Sequence, residues 1–445
     1  MTVDHKNPEL MEKIVSLCKR RGIIFQSSEI YGGINGFWDY GPYGSRMKRA
    51  VEQLWWNEMV ETRHNVEGLD STIICHPRVW KASGHLDKFG DLMCDCRSCK
   101  ARHRVDQMED QSVCPNCGSK DLTEPREFNL MMKTYVGPVS DEEHVAYLRA
   151  ETCQPIFVDF NQVRVATRQK LPFGIAQIGK AFRNEINPRN FTFRSREFTQ
   201  MEMEFFCEDA ESMEWFNYWK AERIKYYREK LKFSEDIIRI YEHEKLAHYA
   251  KAAIDVEFLF PFGWGELEGV HHRGTWDMSR HEEFSGTDLQ YIDHDNNRKI
   301  TPTVIETSVG LDRTMLALIC NAYDEDTADT KKEGQETDVR IVLRLPAKVA
   351  PIQVAILPLS KKLAEGAEKL YQYLCSRFRS EYDETGSIGK RYRRQDEIGT
   401  PYCITFDFES AQDNAVTVRE RDSMNQERIN VTQLREYFDT HIQQF

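Results

Sequence analysis

Between Ala181 and Glu204 side chains of different chemistry alternate along the chain, interrupted by a single loop. Ala181-Phe-Arg-Asn-Glu185 opens the run, and Phe193-Arg-Ser-Arg-Glu-Phe-Thr-Gln-Met-Glu-Met-Glu204 closes it. In a strand, alternate residues share a face. Arg183 and Glu185 therefore point the same way, as do Arg194, Arg196, Phe198, Gln200, Glu202 and Glu204. The other face carries Phe193, Met201, Met203 and Phe205, which suits a core. One face thus runs from cationic to aromatic to anionic. Arginine recognises phosphate bidentately, a phenylalanine stacks on a base, and carboxylates hold an ammonium. The gradient fits a substrate pair carrying phosphates, a purine and an ammonium. The alternative is a solvated strand with cross-strand ion pairs.

The 445 residues suffice for two or three domains, and 40% apolar with 11% aromatic content reads as globular. No apolar run approaches a membrane span and the polar start has no apolar leader, so the expectation is a cytoplasmic protein without membrane contact. A net charge of −12 argues against a general nucleic-acid coat but leaves room for a local basic patch. Asn7-Pro8 followed by Leu10, Ile14, Leu17 and Cys18 predicts a helix ending near Gly22. Gln177–Cys207 reads as strand, 211–232 as an aromatic-rich helix, and Val304–Ala322 as a strand running into a helix. The polar stretch 321–340 reads as a linker. Beyond Pro346 strands alternate with helices, which predicts a small α/β domain.

Five of the twelve cysteines fall between Cys94 and Cys117. Cys96-x-x-Cys99 and Cys114-x-x-Cys117 form two knuckles in an insert over 91–125, close to the spacing of a four-thiolate structural zinc site. Cys94 is a spare thiol that could replace Cys96. The remaining cysteines are scattered, as expected of buried thiols in a reducing compartment.

Arg183-Asn184-Glu185 with Phe193–Phe198 resembles motif 2 of the class II aminoacyl-tRNA synthetases. Val304-Ile-Glu-Thr-Ser-Val-Gly-Leu-Asp-Arg313 resembles their motif 3. Phe25-Gln-Ser-Ser-Glu-Ile-Tyr-Gly-Gly33, Asp39-Tyr-Gly-Pro42, Val79-Trp-Lys-Ala-Ser-Gly-His85 and Asn187-Pro-Arg-Asn-Phe191 resemble the homodimeric glycyl-tRNA synthetases in particular. The resemblance spans nearly the whole chain. It implies an α+β fold: a class II catalytic domain over 1–345, an antiparallel sheet flanked by helices, and an α/β anticodon-binding domain over 346–445. It also implies glycine, ATP, Mg²⁺ and tRNA(Gly) as ligands. A homodimer follows from it too, with the Trp55-Trp56 helix and Ile73-Ile74 strand near motif 1.

By resemblance the catalytic residues are Arg183, on the α-phosphate, and Arg313, on the γ-phosphate. The ATP site comprises Arg183, Asn184, Glu185, Phe193, Arg194, Ser195, Arg196, Glu197, Phe198, Glu266, Leu267, Gly310, Leu311, Asp312 and Arg313. Within it Glu185 reads the adenine amine and Phe198 stacks on the ring. Glu266 and Glu306 are candidate Mg²⁺ or ATP contacts. The glycine site comprises Arg104, Glu151, Phe198, Thr199, Gln200, Met201, Glu202, Glu306, Thr307, Ser308, Val309 and Gly310. Three positions depart from the family pattern: Ala150 and Thr307 stand where proline is common, and Cys153 where alanine is. The usual motif 1 proline is not evident either: Thr72 stands near its expected place, and Pro77 lies five residues on. Gly386–Tyr402 resembles the anticodon-binding domain, and Lys390, Arg391, Arg393 and Arg394 with Tyr392 combine basic and aromatic groups suited to single-stranded RNA.

Two competing readings remain open on sequence alone. One is a class II synthetase for threonine, proline, histidine or serine. The other is an inactive nucleic-acid-binding paralogue, against which the presence of Arg183, Glu185, Arg194, Glu306 and Arg313 argues.

Overall fold

The computed structural model describes residues 7–243, 250–327 and 339–443. Its centre is a seven-stranded sheet: β1 (Val66–Gly68), β2 (Phe173–Phe182), β3 (Glu197–Cys207), β4 (Ile238–Glu242), β5 (Ala252–Phe260), β6 (Gly263–Gly274) and β7 (Thr303–Gly310), in the order β4-β5-β6-β7-β3-β2-β1. β1 joins β2 in parallel, and the other neighbours run antiparallel. The helices that flank it are α1 (Pro8–Arg20), α2 (Pro42–Trp56), α3 (Pro77–Ala82), α4 (His85–Lys88), α5 (Cys153–Thr167), α6 (Ser212–Lys225), α7 (Trp276–Ser285) and α8 (Leu311–Ala322). α1 begins where the sequence places it: Asn7 accepts a hydrogen bond from the Leu10 amide at 3.0 Å, and Ile14, Leu17 and Cys18 are buried.

The period of two decides what each face of the sheet meets. Met201, Met203 and Phe205 of β3 and Ile305 and Val309 of β7 pack with Ile14, Leu17, Val51, Trp55, Trp219 and Met315 from α1, α2, α6 and α8. The opposite face splits. Phe206 and Val304, at one end, pack under Phe157 and Phe160 of α5 and Met278 of α7. The polar residues of the same face stay uncovered by this second core and line a cleft.

The strand reading of motif 2 needs correction at both ends. β2 stops at Phe182 and β3 starts at Glu197, so Arg183, Glu185, Arg194 and Arg196 sit on the connecting loop. Pro188 has no N–H for a ladder, and Asn190 and Phe191 take φ of 59° and 57° ahead of a helical turn over Phe191–Phe193. Phe193 packs at the edge of the main core beside Phe260 and Phe262 and also lines the cleft.

The expected linker over 321–340 is also corrected at its ends. α8 runs through Ala322, and Tyr323–Thr327 pairs antiparallel with Val339–Leu343. Residues 328–338 lie outside the described residues. The insert forms a three-stranded sheet of Gly90–Asp95, Arg102–Arg104 and Arg126–Asn129, slightly beyond its expected bounds. The C-terminal part has its own sheet, β8 (Val354–Pro358), β9 (Ser380–Tyr382), β10 (Tyr402–Phe406), β11 (Ala415–Glu420) and β12 (Gln426–Asn430), in the order β9-β8-β10-β11-β12. With α9 (Ala364–Cys375), α10 (Ile388–Ile398) and α11 (Leu434–Gln443) it encloses a separate core around Ile356, Leu370, Ile404, Val418 and Phe438. No helix among the described residues is long and apolar enough to cross a membrane.

Candidate active site

The cleft, of about 230 Å³, is built on β3, β6 and β7. Register aligns its carboxylates: Glu202 pairs with Ser308, and Glu204 pairs with Glu306, which also faces His271 on β6. One end is cationic. Arg183 lies over the Phe198 ring at 5.2 Å and the Phe89 ring at 5.5 Å, and its Nε donates to the Ala150 carbonyl at 3.0 Å. Arg313, from the first turn of α8, lies over Phe193 at 4.6 Å and pairs with Glu266 at 2.9 Å. The Arg313 guanidinium holds the Glu266 carboxyl below its ordinary pKa. Glu185 is buried beside Arg194 at 3.6 Å, and its Oε2 makes no hydrogen bond among the described residues.

The other end is anionic and tightly tied. Glu202 Oε2 accepts hydrogen bonds from the Thr152 amide at 2.8 Å and from its hydroxyl. Glu202 Oε1 accepts from Ser308 at 2.5 Å and Gln200 at 2.8 Å. Burial, then the charges of Glu306 and Glu151, push Glu202 up to about 7. Glu306 accepts from Arg273 at 2.9 Å and contacts His271; burial opposes its charge, but the Arg273 guanidinium and the His271 imidazole hold its pKa below the usual value. Glu151 is likewise disfavoured by burial, yet the His85 imidazole and Arg273 hold it well below the carboxylate range. Its Oε1 accepts from Gln154 at 2.9 Å and Cys153 at 3.0 Å, and its Oε2 lies 3.3 Å from His85 Nε2. Glu204 is fully buried with neither oxygen hydrogen-bonded among the described residues. Burial and the neighbouring Glu306 raise its pKa well above the ordinary value.

Several expected contacts fall elsewhere. Met201, Leu267 and Val309 are buried in the core on the far side of the sheet, as the alternation of a strand requires, and Leu311, in the first turn of α8, is buried in the same core. Thr307 shares that far face, paired with Met203 and Val270. Asn184 borders a different hollow, with Met131 and Lys133. Arg196 reaches the Glu185 and Asn35 carbonyls, and Glu197 pairs with Lys180 at 2.9 Å. Arg104 is held in the insert by Asp91 at 2.9 Å and Asp106 at 2.7 Å and does not line the cleft. Asp312 borders the cleft, but its carboxylate accepts from the Thr199 amide and from Tyr40, which locks α8 to β3.

This geometry has relatives. Residues 134–322 match the family model described as the tRNA synthetase class II core domain (G, H, P, S and T), and residues 353–441 match the anticodon binding domain. A glycine–tRNA ligase of Treponema denticola is 52% identical, with 99% of each chain covered. The Borreliella burgdorferi enzyme of the same name is 50% identical, with 97% of each chain covered. That of Geobacillus kaustophilus is 48% identical over 97% of this chain and 99% of its own. The chain belongs to the glycine–tRNA ligase family. A solved structure described as the RNA binding domain of threonyl-tRNA synthetase from Cryptosporidium parvum is similar in fold. Its TM-score is 0.67 at 18% identity, and 96% of this chain and 98% of that one are covered. Within a class II ligase ATP and Mg²⁺ are the general requirement. Arg313 and Glu266 set a guanidinium and a carboxylate side by side, groups whose chemistry suits phosphate and Mg²⁺.

The ligase fold leaves the insert and C-terminal groove to be read from their own contacts. Cys96, Cys99, Cys114 and Cys117 gather their sulfurs within 4.8 Å of one another and could hold a metal ion. The Cys96–Cys117 and Cys99–Cys114 distances are both 3.7 Å. A tetrahedron with Zn–S bonds of about 2.3 Å has edges of about 3.8 Å, so the four thiols fit zinc. Cys94 instead packs on Met108 at 3.6 Å, which separates it from the cluster. In the C-terminal domain Arg391 is buried on the Pro358 carbonyl, and Arg394 binds Asp383. Lys390, Tyr392, Arg393 and Arg394 line a groove of about 700 Å³, joined by Arg21 and Arg419.

Sequence reasoning missed His271 and Arg273, which contact Glu306, and Asp277, which accepts from Arg273. The signal was available: Gly269, His271 and Arg273 alternate on one strand, opposite Ser308 and Glu306. His85 lay inside a quoted stretch without a role.

Proposed function

We propose that the cleft activates glycine with ATP and passes it to tRNA(Gly), as a glycine–tRNA ligase does, with the roles set out here. The observation that carries this reading is the ordered polarity of the cleft, from Arg183, Arg194 and Arg313 at one end to Glu151, Glu202 and Glu306 at the other. The glycine carboxylate, already an anion, attacks the α-phosphorus of ATP. The bond to the bridging oxygen breaks, and pyrophosphate leaves with the electron pair. A terminal tRNA hydroxyl then attacks the activated carbonyl, giving up its proton, and AMP leaves. No general base is needed in the first step, so rate comes from positioning and charge stabilisation.

Arg183 takes the α-phosphate and Arg313 the γ-phosphate. Phe198 offers its ring to the adenine, and Glu185 Oε2, which is 3.6 Å from Arg194 but makes no hydrogen bond among the described residues, accepts from the adenine amine. Mg²⁺, held with ATP by Glu266, would neutralise phosphate charge. Glu151, Glu202 and Glu306 with Ser308 take the ammonium. Rejecting side chains larger than hydrogen by crowding is easier than rejecting smaller ones. The four-cysteine cluster holds a structural zinc. The catalytic domain extends to 345 and the anticodon-binding domain from 346, the latter contacting tRNA through the groove beside Tyr392. A cytoplasmic homodimer completes the reading.

Replacing Glu151 with Ala tests the pocket. A buried charge-assisted hydrogen bond contributes about 1.5–3 kcal/mol, so the glycine KM should rise roughly ten- to a hundredfold. The ATP KM at saturating glycine should hold. Equal shifts in both, or in neither, would require the pocket to be redrawn.

A further inference from the structure

The stretch from Val79 to His85 folds as α3, a tight turn at Gly84 and the start of α4. Gly84 adopts φ +78°, which favours glycine, and this lets the chain double back so that His85 points inward. His85 is 9% exposed and sits between the rings of Trp80 and Phe89, with centroids at 5.4 Å and 4.8 Å. Its carbonyl accepts from Asn129 at 2.9 Å, which fixes the backbone as well. Ser83 Oγ lies 2.7 Å from Nδ1, and Nε2 lies 3.3 Å from Glu151 Oε2. The hydrogen bond at one ring nitrogen orients the other.

We propose that His85, held by Ser83, is a positioning residue that fixes the Glu151 carboxylate for the glycine ammonium. The inference rests on the reading of Glu151 as an ammonium acceptor. His85 does not border the cleft itself. It lines a second cavity of about 620 Å³ behind Glu151, with Phe89, Arg273, Trp276 and Arg280. Glu151 and Arg273 border both spaces. The imidazole therefore grips the carboxylate from the side away from substrate. Without it Oε2 is free to rotate toward Arg273 or the rear cavity, and the pocket loses its fixed anion while the phosphate-binding arginines keep theirs. The chain Ser83–His85–Glu151 thus couples a surface turn to recognition of the smallest amino acid.

The test is pyrophosphate exchange by the full chain, with glycine and ATP varied separately, for E151Q, H85A and S83A. We expect E151Q and H85A each to raise the glycine KM on the order of tenfold, with the ATP KM within about twofold of wild type. S83A should move the glycine KM the same way by a smaller factor. Free imidazole, which the rear cavity can admit, should return the H85A glycine KM toward wild type; a purely structural defect would not respond. A rise with E151Q but none with H85A overturns the positioning role and leaves Glu151 its own. No rise with E151Q means that the ammonium assignment itself fails, and the proposal with it. Should H85A not fold, S83A carries the test, and an unchanged glycine KM there overturns the proposal.

Discussion

Glycine recognition should weaken as the solution is acidified from pH 8 to pH 6. Glu202 sits among Glu151, Glu204 and Glu306, and burial with the charges of Glu306 and Glu151 pushes its pKa up to about 7. An ammonium binds the carboxylate and not the acid. The folded-state pKa is raised, so the proton is held below about 7 and the binding form prevails above it. With a pKa of 7 the apparent dissociation constant scales as one plus the ratio of acid to carboxylate. That factor is about 11 at pH 6 and about 1.1 at pH 8, so the glycine KM should fall roughly tenfold across the window. Glycine's own ammonium stays protonated throughout. The assay is pyrophosphate exchange at saturating ATP, with glycine varied at each pH and ATP varied as the control. E202Q should give a raised, flat profile. A glycine KM that is constant or rises with pH refutes the argument. A tenfold slope surviving in E202Q would assign the titration to His271, whose pKa is raised by its bond to Glu306 despite the opposing effect of burial.

Three other expectations follow from the same geometry. Arg313→Ala should slow adenylate formation about a hundredfold, because a donor aimed at shifting phosphate charge typically contributes on the order of 3 kcal/mol; near-normal pyrophosphate exchange would refute its role. Cys114→Ser should lower bound zinc, measured by elemental analysis, and loosen the insert in hydrogen exchange; wild-type protein purified without zinc removes the basis for this. Sedimentation at micromolar concentration should give twice the chain mass, and a monomer would contradict the dimer.

What the sequence made legible follows local periodicity. α1 is readable from Asn7, Pro8 and the four apolar residues Leu10, Ile14, Leu17 and Cys18 at helical spacing, and β3 from its alternation, because both patterns lie within a dozen residues. The two knuckles were readable because ligand spacing is itself local. The motif 2 loop was misread as strand because alternation continues through Arg194 and Arg196 while the backbone turns at Asn190 and Phe191. A positive φ at an ordinary side chain leaves little trace in composition. His271 and Arg273 alternate legibly on one strand, but their partner Glu306 is set only by the register of β6 against β7, and Asp277, on α7, acts through Arg273. Arg391 shows the converse error. It belongs to a basic run of a composition suited to RNA, yet its side chain is buried on the Pro358 carbonyl.

The most direct test of the account is amino-acid-dependent pyrophosphate exchange with each of the twenty amino acids in turn, followed by charging of mixed tRNA. The account predicts exchange with glycine, little with alanine, and label transfer to tRNA(Gly). Exchange driven instead by threonine, proline, histidine or serine, or by none of the twenty, would contradict it.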